Sequence, residues 1–141
     1  MTAFADTSFL ASLYIVDVNS HAATAAMPEL SPPILITPLV ELELRNAILL
    51  RKFRRQIAAE EERPFSAFRA DLEAGIVAVR PIAESAFAEA LRLSARWTPT
   101  LGARSLDILQ VASAIVLSAE LFLTFDDRQK KLAKAAGLVC I

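Results

Sequence analysis

Three observations predict an α/β fold, a three-layer α/β/α sandwich around a central, mainly parallel sheet of about five short strands. Short β-rich apolar segments recur at residues 2–5, 34–36, 76–79, 121–125 and 138–141. Each is too short for a helix and is apolar on both alternating faces, as a strand covered on both sides must be. Longer stretches with helical periodicity separate them, and such alternation implies right-handed βαβ crossovers. The chain has 141 residues and no repeat, linker or low-complexity tract, so residues 1–141 are expected to form one domain.

The elements follow in order. After the first strand, Thr7 is placed to cap a helix through Phe9 and Leu10. Asp17 or Asn19 can cap a second helical stretch over 22–27, which Ser31-Pro32-Pro33 ends. Thr37-Pro38 supplies a hydroxyl cap and a proline at the first helical position, opening a long helix from 38 to about 57. The charged run Glu60-Glu61-Glu62-Arg63-Pro64 breaks the chain before an amphipathic helix over 65–73, stopped by Gly75. A helix over 84–96 and a loop over 97–102 come next. Residues 104–117 read as a helix buried nearly all round, with Asp107 in its first turn and no basic residue at i+3 or i+4. Ser105 can cap it. A short basic helix over 127–136 ends at Gly137.

Composition narrows the function classes. Hydrophobic residues make up 55% and charged residues 22%, yet no apolar run approaches the ~20 residues that span a bilayer. The apolar surplus therefore belongs to a dense interior or a subunit interface, and no membrane association is expected. Cys140 is the only cysteine, which excludes an internal disulfide and fits a cytoplasmic setting. The first residues lack the basic region of a signal peptide. A net charge of −1 gives no global basic footprint for nucleic acid.

Four of the 16 acidic residues stand out. Asp6 ends the first strand and Asp126 follows the fourth, at the carboxyl ends where ligands bind in parallel α/β sheets. Asp107 lies in the first turn of the helix leading into the fourth strand, a position at the same rim. On the long helix, Glu43 shares a face with Leu39, Ala47 and Leu50, whereas Glu41 lies beside Arg45 in an ordinary exposed ion-pair arc. A rotated helix would exchange Glu41 for Glu43. Carboxylates gathered within ~5 Å repel by about 3 kcal/mol per pair at an effective dielectric near 20, so such a cluster needs protons or cations. An all-oxygen donor set selects a hard ion such as Mg²⁺ or Mn²⁺. The only histidine, His21, falls in the second helical stretch and reads as a surface residue.

F-A-D-T-S-F-L, I-T-P-L-V-E-L-E-L-R-N-A, R-S-L-D-I-L-Q-V-A-S-A and L-F-L-T-F-D-D-R-Q-K-K-L-A-K-A-A-G-L resemble the successive motifs of PIN-domain proteins, and among these the VapC-type toxin ribonucleases of toxin–antitoxin pairs. The resemblance runs through nearly the whole chain in order. It implies Asp6, Glu43, Asp107 and Asp126 as an acidic quartet around one or two divalent cations. Asp6, Asp107 and Asp126 would hold the cation, directly or through water, and Glu43 would act through water or orient the nucleophile. It further implies Thr7 or Ser8, together with Thr124, as hydroxyls that orient carboxylates or waters, and Asn46 as a supporting contact. Asp127 stands beside Asp126 as an alternative fourth acid.

The expected activity is metal-dependent hydrolysis of RNA by an endoribonuclease toxin. The apolar surplus fits a homodimer, and the resemblance implies a cognate antitoxin as partner, with the two joining in a higher toxin–antitoxin assembly. Arg51 and Arg54 in the basic run 51–55, Arg104 beside the site, and Arg128 downstream are the candidate RNA contacts. Two rival classes are a phosphoryl-transfer enzyme of phosphatase type with an aspartate nucleophile, and a catalytically silent interaction domain. Against the first, Asp6 is followed by Thr7-Ser8 with no second aspartate at i+2, and no phosphate-binding loop is present.

Overall fold

The computed structural model describes residues 1–141, and all five predicted strands join one sheet. They are β1 (Ala3–Ala5), β2 (Ile34–Ile36), β3 (Val77–Val79), β4 (Leu121–Leu123) and β5 (Val139–Cys140), in the order β3-β2-β1-β4-β5. Every pairing is parallel, so the sheet is wholly parallel rather than mainly so. Phe4 of β1 stands opposite Phe122 of β4, and their rings stack at 5.7 Å in the middle of the core.

Helices α1 (Thr7–Tyr14) and α2 (Ser20–Ala26) lead from β1 to β2, and α3 (Pro38–Phe53) and α4 (Arg63–Glu73) lead on to β3. From β3 the chain returns through α5 (Glu84–Leu101) and α6 (Ser105–Val116) to β4, then through α7 (Asp127–Ala135) to β5. The first four helices pack around α1, and the last three pack on one another. Right-handed crossovers that step one way across the sheet and then the other put these two groups on opposite faces. The reversal falls between β1 and β4, which is where doubly wound sheets open a crevice at their carboxyl edge. No helix is long and apolar enough to cross a membrane.

Several boundaries differ from the expectation, each for a local reason. The first helix is capped by Asp6, not Thr7: Asp6 has extended backbone and its side chain accepts from Phe9 N at 3.0 Å. Thr37 sits at the cap position of α3, but its buried hydroxyl makes no cap bond. The α3 helix stops at Phe53, four residues early. Arg55 adopts a left-handed conformation (φ 56°), and the Gln56 and Arg55 amides close back on Arg51 and Lys52 carbonyls. Glycine normally marks this closure, as Gly75 does after α4, so an arginine there hides the stop.

Helix α4 begins at Arg63, taking Pro64 into its first turn, where the missing proline N–H costs nothing. Helix α5 runs through the segment expected as a loop and ends only at the left-handed Gly102. Pro99 removes one helical hydrogen bond, but Trp97 and Leu101 pack against the core and hold the last turn in place. Arg104, not Ser105, occupies the cap position of α6 and makes no side-chain cap bond. That helix is buried all round only over residues 110–114; its first turn is open, and Asp107 is half-exposed at the rim rather than carried into the core.

Candidate active site

The crevice between β1 and β4 is closed from below by an aromatic pair. Phe9, in the first turn of α1, stacks on Phe125, just past β4, at 5.4 Å. This contact ties together the two loops that carry Asp6 and Asp126. Asp6 itself is only 3% exposed, and both of its oxygens are engaged. Oδ1 accepts from Ser8 Oγ at 2.7 Å and from Phe9 N, and Oδ2 accepts from Thr124 Oγ1. The same hydroxyls accept from the backbone beyond β4, Ser8 from Phe125 N at 2.9 Å and Thr124 from Asp126 N at 3.0 Å. Each hydroxyl has one proton, and both protons point at Asp6.

Burial outweighs these donors. Desolvation, helped by the nearby charge of Asp126, pushes the Asp6 carboxyl up from 3.8 to about 6. Asp126 caps α7, with Oδ1 accepting from Arg128 N at 2.8 Å and Gln129 N at 3.1 Å. Its Oδ2 has no protein donor. Asp126, rather than Asp127, is the acid whose charge reaches Asp6 and Asp107. Asp127 is exposed in the first turn of α7.

Glu43 lies at the edge of the buried face of α3, whose core positions are Val40, Leu44 and Ile48. Glu41 is diverted to Arg45 at 2.9 Å. Glu43 Oε1 accepts from Thr7 Oγ1 at 3.0 Å and from Gln110 Nε2. Burial, followed by the repulsion of Asp107, raises the Glu43 carboxyl above its ordinary value. The Asp107 side chain makes no hydrogen bond. Desolvation and then Asp126 raise its carboxyl, while Arg104 and Arg128 beside it pull the other way. Those two arginines, Asp107 and Gln129 line a narrow crevice between the first turns of α6 and α7.

The structure thus joins Asp6, Ser8, Thr124 and Asp126 in one network and Thr7 and Glu43 in another, with Asp107 between the charges of Glu43 and Asp126. It does not close the four acids into a cage: no three carboxylates converge tightly enough to grip a single ion. Local donors explain the spread, because Asp6, Glu43 and Asp126 each turn toward amides, hydroxyls or Gln110. Asn46 is exposed and makes no side-chain hydrogen bond, so the supporting contact expected of it is absent. Arg51, on α3, lies about 12 Å further along the helix than Glu43, and Arg54 follows just past its end, both far from the rim. Gln110 was not singled out from the sequence. The available signal was a lone amide one turn beyond Asp107 in an otherwise apolar helix.

The donor set suits a hard divalent cation. All the candidate ligand atoms are oxygen, and Asp6, Glu43 and Asp107 are each held above their ordinary values by burial and by the repulsion of a neighbouring acid, a penalty that a cation would relieve.

A family model described as PIN domain matches residues 3–135. Among solved structures, that of Mycobacterium tuberculosis VapC20, described as a sarcin-ricin loop cleaving toxin, superposes with a TM-score of 0.71. The two chains are 20% identical, and the match covers 98% of this chain and 97% of the other. No curated protein matches the sequence significantly. Since the family model spans nearly the whole sequence, from β1 through α7, the chain belongs to the PIN domain family.

Proposed function

We propose that the chain is a metal-dependent endoribonuclease, the toxin of a type II toxin–antitoxin pair, hydrolysing RNA phosphodiester bonds. The observation that carries this reading is Asp107, a carboxylate held at the rim without a hydrogen-bond partner, between the charges of Glu43 and Asp126. Such a group is positioned to bind something from solvent. Family membership and the likeness to VapC20 supply the class of reaction.

Asp6, Asp107 and Asp126 would hold Mg²⁺ or Mn²⁺ in part through bridging water, because as they stand they do not converge on one point, with Glu43 completing the set through water. The cation, when bound, supplies a Lewis acid for a phosphate oxygen and lowers the pKa of the attacking water. Ser8 and Thr124 fix the orientation of Asp6 by spending their protons on it. Glu43, half-buried and raised in pKa, orients the nucleophilic water and can take its proton at Oε2, the oxygen that Thr7 and Gln110 leave free. Arg104 and Arg128, which line the crevice beside Asp107, would contact the phosphates of the strand.

The 3% exposure of Asp6, with two hydrogen bonds on one oxygen and one on the other, argues against its use as a nucleophile of phosphatase type. The partners of the reading are an antitoxin and a second copy of the chain. Exposed apolar side chains on α3 (Leu42, Leu49, Phe53) and a groove of about 350 Å³ between α5 and α6 offer them surface. The test is cleavage of end-labelled RNA in Mg²⁺ or Mn²⁺, in EDTA, and by Asp107→Asn. Cleavage by wild type alone, and only with the cation, is expected; equal cleavage by the variant would overturn the assignment.

A further inference from the structure

Gln110 is the best-buried polar group at the rim that the reaction itself does not use. It is 2% exposed, on α6 one turn beyond Asp107. Its Nε2 reaches over the end of β1 to the other side of the sheet, where it donates to Glu43 Oε1 and, at 3.3 Å, to Thr7 Oγ1. Thr7 spends its own proton on the same Glu43 oxygen. Gln110 and Thr7 therefore close a ring of donors on Oε1 and leave Oε2 free. The arrangement works against the fold, because Gln110 Oε1 is buried with no partner. A straight-chain apolar residue of the same length would fill the space without that orphan acceptor.

We propose that Gln110 is a positioning residue that fixes the Glu43 carboxylate, so that one helix both presents Asp107 and aims the acid opposite it. A side chain that leaves a buried acceptor unpartnered while holding a single oxygen of a candidate site acid is accounted for by that service. The role rests on the metal-site reading above. Groups that orient ligating carboxylates typically change metal affinity 10- to 100-fold when removed.

The experiment is calorimetric titration of Mn²⁺ into wild type, Gln110→Met, Glu43→Gln and the double variant, with thermal melts of each in EDTA. Gln110→Met is expected to melt at or above wild type and to bind Mn²⁺ about tenfold more weakly. The double variant is expected to bind no more weakly than Glu43→Gln alone, since Gln110 acts through Glu43. Wild-type affinity in Gln110→Met, or losses that multiply in the double variant, overturns the proposal. Gln110→Leu repeats the test in a different shape, and failure of both variants to fold would make Gln110 a structural residue and also overturn it. A wild type that binds no Mn²⁺ sinks the metal-site reading itself; an unaltered Glu43→Gln removes Glu43 from the set and the proposal with it; and a weakened Glu43→Gln beside an unaffected Gln110→Met sinks only the part given to Gln110.

Discussion

Replacing Asp6 by asparagine should remove a pH dependence from the stability of the metal-free protein. The folded carboxyl titrates near 6 and the unfolded one near 3.8. Between those values the folded chain keeps a proton that the unfolded chain has lost, so stability falls as pH rises. The contribution is full below about pH 4 and gone above about pH 6. The difference of about 2.2 pH units corresponds to about 3 kcal/mol at 1.36 kcal/mol per unit, which for a chain of this size shifts the melting temperature by about 10 °C. Denaturant melts of both proteins in EDTA from pH 4 to pH 7 measure it. The stability of Asp6→Asn relative to wild type should climb by that amount across the window, and saturating Mn²⁺ should restore the wild type at pH 7 without helping the variant. Parallel pH profiles for the two proteins would refute the idea that burial, rather than hydrogen bonding, governs this carboxylate.

The aromatic pair under the site is open to a simpler test. Phe9→Ala deletes a buried ring and should cost about 3 to 5 kcal/mol in urea unfolding, while Phe125→Leu, which keeps apolar volume, should cost less and still lower RNA cleavage by loosening the Asp6 and Asp126 loops. Arg104→Ala and Arg128→Ala should each weaken RNA binding and reduce the salt slope of log Kobs by about 0.7 per lost phosphate contact on single strands. An unchanged slope in titrations from 50 to 200 mM salt would remove these arginines from the RNA path.

Much of the placement of the candidate site could be read before the fold was known. Asp6 and Asp126 were legible because short apolar strands announce their own carboxyl ends. Glu43 was separable from Glu41 because Arg45, four residues on, claims Glu41. What escaped the sequence was less regular. Arg55 and Ser118 take the left-handed conformation that glycine normally marks, so the end of α3 carried no compositional sign. Pro99 looked like a break, although packing of Trp97 and Leu101 carries the helix past it. Gln110 was hidden because its partner lies 67 residues away across the sheet, and no helical periodicity encodes a contact between opposite layers. The basic run 51–55 was legible as charge, but its distance from the rim depended on the direction in which α3 leaves β2.

The bond from Thr124 to Asp6 spans 118 residues of chain, and the one from Gln110 to Thr7 spans 103. Neither site network can assemble from local structure, because each needs loops closed whose entropy is repaid only when β4 docks beside β1. The candidate site is therefore a property of the finished sheet alone. Under the proposed nuclease reading, a chain caught midway through folding, however helical, has its acids scattered and no hydrolytic competence, so in a refolding experiment activity should return with the slowest step of sheet formation and never ahead of it.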